Sequence, residues 1–490
     1  MDILNLSIKE LSEKIKNQSL SAESVASFYL KRAKELNPQL NAYLHFSEQA
    51  IEQASQVDKK IKAGLPTGAL AGVPIGVKDM FCIKEMPTTA ASKMLAHFIS
   101  PYDATVIENL KKQDAIILGK LNQDEFAMGS SGETSYFGVS KNPWSVEHTC
   151  GGSSGGSAAA QAAGMAALTL GTDTGGSIRQ PANFCGVVGV KPTYGRVSRY
   201  GIIAYASSLD QAGPLANSVE DAALALELMA GHDSKDATSS NREVPSFSKD
   251  LNGNLKGLKI GFLKEFLVGG LNPEVEQAFQ QTLDKLKSEG AQLQEVSVPL
   301  TKVAVSIYYL IASAEASSNL SRYDGVRYGY RAPFPSLANL DLEEFYGRTR
   351  SEGFGEEVKR RILLGTYCLS SGYYDAYYKK ASQVRRLLTQ EFLSSFTKCD
   401  VIVSPVTTAP AFKIGEKIND PMAMYLNDAF TTSANLAGLP AMSLPIAIST
   451  SGLPIGLQIM AKHFDEQTML NTAKGIETLV SFKGKKPHGI

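Results

Sequence analysis

The sequence has few features that would direct the protein to a membrane, to nucleic acid or to a disulfide-stabilised fold. Its five cysteines are scattered and form no CxxC pair, which argues against a disulfide framework and a zinc site. Lysine plus arginine and aspartate plus glutamate number 49 each, so no overall positive field would attract nucleic acid. No window approaches the roughly 20 apolar residues of a membrane span, and "ILNLSIKELSEKIKNQ" is not a signal peptide. We therefore expect a cytoplasmic protein.

Nucleotide-binding motifs are also missing. No glycine cluster ends in the Lys-Ser/Thr of a Walker A loop, and the GxGxxG fingerprint of dinucleotide-binding folds is absent. We find no kinase-like motif and no evident carboxylate cluster for Mg²⁺. The six histidines do not stand in a motif-like context beside Asp or Ser, so a serine nucleophile would need another base.

The pattern along the chain predicts an α/β fold with a largely buried mixed sheet. Residues 1–64 read as helices, with a capping box at Ser7 and Glu10 and a second N-cap at Ser21. From residue 71 onward strand-like and helix-like segments alternate, beginning with "AGVPIGVKD". Late segments such as "AMSLPIAIS" and "PIGLQIMA" have the same buried character, so both ends of the chain should join one sheet. We expect one large domain over residues 1–490, with a helical elaboration at 258–400.

Two Gly/Ser clusters, "GGSSGGS" and "TDTGGS", flank a segment that looks buried. The alanine-rich run after Ser157 is a helix former, and "MAALTLG" suits a buried strand that ends at the second cluster. Both clusters therefore lie beside strand ends and helix N-termini, where α/β proteins place active sites. They could be phosphate loops, turns whose serines cap helices, or a serine-dependent acyl-transfer site with its oxyanion hole.

Lys78 is the best candidate for the base of such a serine. It follows the alternating apolar residues of "VPIGVKD". A lysine in this context is either a charge on an edge strand or a buried amine. Burial lowers the pKa of an amine, as a general base near neutral pH requires.

Three segments together resemble the amidase signature family: "GVPIGVKD", "GGSSGGSAAA" and "GTDTGGSIRQPANFCGVVGVKPTYGRVSRYG". The resemblance covers about residues 71–215. It implies a single amidase-signature domain whose twisted mixed sheet has helices on both sides. It also implies a triad in which Ser177 is the nucleophile, Ser153 relays its proton and Lys78 is the terminal base.

The same resemblance implies roles around the triad. The peptide bond before Ser153 should be cis, and Ser154 should support the site by hydrogen bonding. Asp173 and Arg179 should brace the loop, and Cys150 replaces a proline that is more usual in the family. The oxyanion should be held by the backbone N–H groups of Thr174, Gly175, Gly176 and Ser177.

A narrower resemblance covers nearly the whole chain. Segments such as "KLNQDEFAMGSS", "SEGFGEEVKRRILLGTYCLSSGYYDAYYKKA" and "DPMAMYLNDAFTTSANLAGLPAMSLP" are similar to a branch that hydrolyses glutamine inside a three-subunit, tRNA-dependent amidotransferase. The resemblance implies that this chain needs no cofactor, while a large partner binds tRNA, ATP and Mg²⁺ and a small third subunit stabilises the complex. It assigns glutamine binding to Arg361 for the carboxylate, Asp428 for the ammonium and Tyr308 for the pocket wall.

Alternatives remain for these residues and for the function. Arg360 is adjacent to Arg361 and Tyr309 to Tyr308, and Asp428 could instead cap a helix. The rival functions are a free-standing amidase acting on a small aryl, alkyl or peptide amide, and a non-catalytic scaffold of the same fold.

Overall fold

The computed structural model describes residues 3–267, 270–335, 341–480, 482 and 485–487. Within them, eleven strands form one large mixed sheet, and β4 and β5 form a separate hairpin. The thirteen strands are β1 Tyr43–Phe46, β2 Pro74–Lys78, β3 Ile116–Leu121, β4 Lys141–Asn142, β5 Ser145–Thr149, β6 Leu168–Asp173, β7 Val188–Lys191, β8 Gln211–Ala216, β9 Lys259–Leu263, β10 Gln292–Val296, β11 Val401–Pro405, β12 Ala441–Ile448 and β13 Pro454–Ala461.

Helices fill most of the remaining chain. The α-helices in the described residues are α1 Ile8–Lys16, α2 Ala22–Leu40, α3 Ala50–Lys62, α4 Thr105–Lys112, α5 Gly155–Ala162, α6 Arg179–Cys185, α7 Val219–Met229, α8 Pro273–Ser288, α9 Ala304–Asn319, α10 Leu342–Gly353, α11 Glu356–Leu369, α12 Lys380–Ser395, α13 Pro421–Tyr425, α14 Thr432–Leu436 and α15 Glu466–Val480. The predicted capping box of Ser7 and Glu10 begins α1, and Ser21 caps α2.

The order of the sheet is β1-β3-β2-β6-β8-β7-β12-β13-β11-β9-β10. β2 lies between β3 and β6 and is parallel to both, with Val77 opposite Leu170. β6 is antiparallel to β8 on its other side. Parallel neighbours present their carboxyl ends at one edge, so the ends of β2 and β6 come together.

Hydrophobic clusters cover both faces of the sheet, as predicted. In β11, Val401 and Val403 belong to a cluster shared with α7 and α15, whereas Ile402 belongs to one shared with α9 and α12. This alternation is what a strand buried on both faces produces. A third cluster joins β3 to the N-terminal helices and α5.

The segment boundaries predicted from the sequence need two corrections. The N-terminal segment 1–64 is not wholly helical, because β1 lies inside it at the edge of the sheet. The helical elaboration 258–400 also contains β9 and β10, which form the opposite edge. Strands from both ends of the chain join one sheet as expected, and a single domain over 1–490 stays a prediction. Among the helices of the described residues, none is both long and apolar enough to cross a bilayer.

Candidate active site

Lys78 stands at the carboxyl end of β2, an interior strand, and is completely buried. The alternative of an exposed charge on an edge strand is therefore wrong. Its Nζ lies 2.8 Å from Ser153 Oγ, 2.9 Å from Ser154 Oγ and 2.8 Å from Thr172 Oγ1. The amine is thus surrounded by hydroxyl groups.

This environment changes the acidity of Lys78. Burial lowers the pKa of its amine to about 7, although Asp124, Asp173 and Asp210 partly oppose the shift by favouring the charged form. A substantial fraction of the amine is therefore neutral at neutral pH. In that form its lone pair can accept a proton from a serine hydroxyl, the property required of a general base.

Ser153 and Ser154 occupy the turn before α5. The peptide bond between Gly152 and Ser153 is cis, as the family resemblance implied. The two hydroxyls differ in their bonding: Ser154 Oγ also donates to the Thr172 carbonyl at 3.1 Å and accepts from the Thr172 N–H at 3.3 Å. Ser153 Oγ has one hydrogen-bond partner among the described residues, Lys78. Ser154 therefore holds the turn to β6, while Ser153 keeps capacity for a second hydrogen bond.

Ser177 lies in the loop between β6 and α6, residues 174–178, which we call the nucleophile loop. The Ser154 N–H donates to the Ser177 carbonyl at 3.1 Å, so this loop and the Ser153 turn are adjacent. The Ser177 hydroxyl makes no hydrogen bond within the described residues, and its residue is 8% exposed. Lys78 is thus hydrogen-bonded to Ser153, whereas the hydroxyls of Ser153 and Ser177 form no hydrogen bond with each other.

Asp173 stabilises the nucleophile loop by hydrogen bonds and an ion pair. Its carboxylate accepts the N–H groups of Gly176 at 2.9 Å and Ile178 at 3.1 Å, and it forms an ion pair with Arg179 at 3.0 Å. Burial alone would raise the pKa of Asp173, but Arg179 lowers it to about 2. Asp173 and Arg179 therefore support the loop, as expected from the sequence.

The backbone of the nucleophile loop has donors available to a ligand. The N–H groups of Gly175 and Ser177 reach no acceptor in the described part of the chain. The N–H of Gly176 already donates to Asp173. To bind an oxyanion as well, it would have to form a bifurcated hydrogen bond with both acceptors. The predicted oxyanion hole at Thr174, Gly175, Gly176 and Ser177 stays a prediction, and of these four N–H groups only that of Gly176 has an acceptor among the described residues.

Close packing explains why two glycines are needed here. A Cβ atom on Gly175 would lie 2.5 Å from Tyr308 Cζ. One on Gly176, whose φ is +138°, would lie 2.2 Å from Thr431 Oγ1. Tyr308 is thereby placed directly against the nucleophile loop, and its role in the wall of the substrate pocket stays a prediction.

The two adjacent arginines have different environments. Arg361 is 3% exposed, and its guanidinium lies near the rings of Tyr205, Tyr309 and Tyr425 at 5.7, 5.0 and 5.6 Å. The Arg360 side chain is 50% exposed and pairs with Glu357. Of the two, Arg361 is the buried cation beside the predicted substrate pocket.

Asp428 is buried and does not cap the helix that follows. Its carboxylate accepts a hydrogen bond from Ser130 Oγ, while Thr431 stands at the N-cap of α14. Burial raises the pKa of Asp428 to about 7, although Ser130 and Arg361 favour its ionised form. The charges of two neighbours act on it in opposite directions: Arg361 lowers the pKa of Asp428, and Asp173 raises it.

Comparison with known proteins decides the family. The amidase family profile matches residues 24–470. The A subunit of the glutamyl-tRNA(Gln) amidotransferase of Bdellovibrio bacteriovorus is 61% identical over 490 residues, covering 100% of both chains. The chain belongs to the amidase family.

Solved structures agree with this assignment. The A subunit of the glutamyl-tRNA(Gln) amidotransferase of Thermotoga maritima matches with a TM-score of 0.82 and 38% identity, over 99% of this chain and 98% of that one. The peptide amidase of Stenotrophomonas maltophilia matches with a TM-score of 0.84 and 30% identity, over 98% of both chains. This amidase therefore has the fold shared by members that differ in substrate.

Several site residues of this amidase were missed by sequence reasoning. Thr172 precedes Asp173 in β6 and shares the Lys78 amine with the two serines. Asp124 donates its N–H to the Ser153 carbonyl at 3.2 Å, and its carboxylate accepts the Gly132 N–H at 3.1 Å. Asp124 and Ser130 both lie in the polar segment "LNQDEFAMGSSGETS", and nothing in its composition distinguishes them from its other polar residues.

A cleft opens at the surface beside the segment that contains Ser130. Its lining includes Ser130, Ser131, Glu357, Arg361 and Tyr425. Glu357 is another residue that the sequence did not reveal, and it contacts both Arg361 and Tyr425. The wall of the cleft thus includes the Arg361 guanidinium, a fixed positive charge.

Proposed function

We propose that this amidase is the glutamine-hydrolysing subunit of a glutamyl-tRNA(Gln) amidotransferase. The observation that carries the proposal is the Lys78 amine, held at 2.8 Å from Ser153 next to the nucleophile loop. The full-length identity of 61% to the A subunit of such an enzyme supports the choice of glutamine over other amides.

The first half of the reaction makes an ester. Ser177 Oγ attacks the side-chain carbonyl carbon of glutamine, and its proton passes to Ser153 Oγ while the Ser153 proton passes to neutral Lys78. The free N–H groups of Gly175 and Ser177 can donate to the negative oxygen that develops. When the C–N bond breaks, the proton returns from Lys78 through Ser153 to the nitrogen, which leaves as ammonia.

The second half releases glutamate. Water attacks the glutamyl ester, and its proton follows the same route to Lys78. The ester bond to Ser177 breaks as Ser177 regains a proton through Ser153. Each cycle therefore consumes glutamine and water, yields glutamate and ammonia, and leaves the three side chains unchanged.

Free glutamine carries an α-carboxylate and an α-ammonium, and the pocket offers a group for each. Arg361 supplies a guanidinium, which matches a carboxylate in geometry and charge. Asp428 supplies a carboxylate for the ammonium, and Tyr308 lies between this region and the nucleophile loop. A free-standing amidase for simple amides has no use for a buried arginine at its cleft, so Arg361 favours glutamine.

The ammonia serves a second reaction in this proposal. A large partner uses ATP and Mg²⁺ to activate Glu-tRNA(Gln), holds the tRNA and receives the ammonia, and a small third subunit stabilises the complex. The zero net charge of the present chain is consistent with the tRNA being held mainly by the partner. The chain itself contributes the glutaminase site and needs no cofactor for it.

Glutaminase activity of triad variants tests the proposal. Ser177→Ala should abolish ammonia release from glutamine, and Ser153→Ala or Lys78→Ala should lower kcat by about 10³-fold or more, since the groups act as a unit. The double variant Ser153→Ala with Lys78→Ala should be no less active than the worse of the two single variants. A much larger loss in the double variant would contradict the shared proton route.

Ser157→Ala provides the matched control. Ser157 is a buried serine on α5 that donates to the Leu170 carbonyl at 2.9 Å and does not contact Lys78. Its replacement should leave kcat near the wild-type value. Equal damage from Ser157→Ala would mean that the triad variants act through packing rather than through chemistry.

A further inference from the structure

We propose that Glu357 is a specificity-determining positioning residue, which presents one end of the Arg361 guanidinium to the substrate carboxylate. The proposal rests on the proposed function, because it assumes that Arg361 binds the α-carboxylate of glutamine. Glu357 lies one helical turn before Arg361 on α11, so the two side chains share a face.

Glu357, in the wall of the cleft, accepts hydrogen bonds from three side chains. Its carboxylate accepts Arg361 Nε at 2.8 Å and the Tyr425 hydroxyl at 3.0 Å, and Arg360 Nη1 also donates to it. Burial alone would raise the pKa of Glu357, but Arg361 and its hydrogen bonds bring it below the ordinary value. The side chain is therefore a fixed anion at neutral pH.

The hydrogen bonds of the Arg361 guanidinium leave some of its N–H donors available for a substrate carboxylate. Nε is taken by Glu357, and Nη1 donates to the Tyr205 hydroxyl at 2.6 Å. Nη2 has no hydrogen-bond partner among the residues described. A carboxylate can pair with a guanidinium either through Nε and Nη2 or through the two Nη atoms. Because Glu357 occupies Nε, the substrate carboxylate would approach the Nη end, where Nη2 and the second hydrogen of Nη1 can donate.

A second set of contacts ties this orientation to the nucleophile loop. The hydroxyl that accepts from Arg361 belongs to Tyr205; burial raises the pKa of this hydroxyl, and Arg361 and the neighbouring Tyr308 partly oppose the rise. Tyr308 in turn packs against Gly175 of the nucleophile loop. Glu357 at one side and Tyr205 at the other therefore fix the guanidinium relative to Ser177. A substrate held by its α-carboxylate would then place its side-chain amide at a constant distance from the nucleophile.

Glutamine kinetics of Glu357→Gln test the proposal, measured on the full chain together with its partner subunits. The substitution keeps the shape but removes the charge that anchors Arg361 Nε. We expect KM for glutamine to rise by roughly tenfold or more with kcat little changed, because a carboxylate contact is made in the ground and transition states alike. Hydrolysis of butyramide, which has no α-carboxylate, should keep its kcat/KM. An unchanged KM for glutamine, or an equal loss on butyramide, would overturn the inference.

Glu356→Gln is the matched control. Glu356 stands one residue earlier in the first turn of α11, has a side chain 85% exposed and pairs with Lys359. The change removes the same charge from the same helix end without touching Arg361, so KM should stay at the wild-type value. A KM increase equal to that of Glu357→Gln would assign the effect to the helix dipole and overturn the proposal.

Two further measurements keep the test decisive. In an Arg361→Ala background, Glu357→Gln should add no further increase in KM, and an additive effect would contradict action through Arg361. If Glu357→Gln does not fold, Glu357→Asp retains the charge but shortens its reach, and an unchanged KM in that variant would overturn the inference. A wild-type chain that stays without glutaminase activity in the presence of its partner subunits would instead refute the proposed function, and the inference with it.

Discussion

Lys78, Lys120 and Lys191 are completely buried within the described residues, and their partners differ. Lys120 forms an ion pair with Asp79 at 2.9 Å, and Lys191 donates to the carbonyls of Pro192 and Leu439. Burial lowers the pKa of Lys191 to about 7 as well, so a lowered pKa alone does not mark a base. Lys78 is distinguished by three hydroxyl neighbours and by the lack of an ion pair among the described residues, because a neutral amine can exchange protons with a hydroxyl.

The pKa of Lys78 predicts how kcat depends on pH. The amine must be neutral to accept a proton, and its folded pKa is depressed to about 7. The neutral fraction therefore falls as the pH decreases through 7, and kcat should fall tenfold per pH unit below about pH 6. The measurement is kcat for glutamine between about pH 5 and about pH 9 at saturating substrate. A kcat that stays flat down to about pH 5 would exclude Lys78 as the base.

Asp428 predicts a separate pH effect on binding. Its pKa is raised to about 7 by burial, and only the ionised form attracts the α-ammonium of glutamine. KM should therefore increase as the pH falls below 7, and Asp428→Asn should show a high KM that no longer varies over this range. The acid limb of kcat should persist in that variant, because it belongs to Lys78. A KM that still rises below pH 7 in Asp428→Asn would assign the titration to another group.

At the level of elements, the nucleophile loop depends on the close approach of its backbone to Thr431. Gly176→Ala combines a φ of +138° with a Cβ atom 2.2 Å from Thr431 Oγ1. We expect a loss of about 2 kcal/mol or more in the free energy of unfolding and a large fall in kcat. Gly231→Ala is the control, since Gly231 has a φ of +141° and open space around its Cβ position. Equal losses in both variants, measured by urea unfolding, would show that backbone strain alone is responsible.

The elements that carry chemistry were the easiest to predict. The strand patterns of "VPIGVKD" and "MAALTLG" correspond to β2 and β6, and the alanine-rich run corresponds to α5. These segments are buried, so apart from the residues that carry chemistry they consist mainly of apolar and small residues. The edge strands β1 and β10 were missed because they are short and partly exposed, and "QLQEV" has no strong strand pattern.

Only those site residues that belong to a sequence motif could be predicted. Lys78, Ser153 and Ser177 were named from the sequence, and the structure brings the first two into contact. Glu357 could not be named, because a glutamate in the first turn of a helix is ordinary. Its pairing with Arg361 is local, but its contact with Tyr425 joins segments 68 positions apart in the chain. Contacts between distant segments leave no trace in a single sequence.

At the level of the whole molecule, the isolated chain should lack the activities that the proposed function assigns to its partner subunits. The proposed function gives tRNA binding and ATP use to a partner, so the purified chain should release little ammonia from glutamine and should not convert Glu-tRNA(Gln). Addition of the partner subunits, ATP and Glu-tRNA(Gln) should stimulate glutaminase activity and produce Gln-tRNA(Gln). Conversion of Glu-tRNA(Gln) by the single chain would contradict the division of roles.

A glutamyl ester on Ser177 is the intermediate on which the whole proposed reaction depends. It can be trapped by quenching the enzyme with acid during turnover of isotopically labelled glutamine, and the modified peptide can be mapped by mass spectrometry. We expect label on the peptide that contains Ser177, and none in Ser177→Ala. Label on Ser153, Ser154 or Cys150, or its persistence in Ser177→Ala, would contradict the proposed reaction.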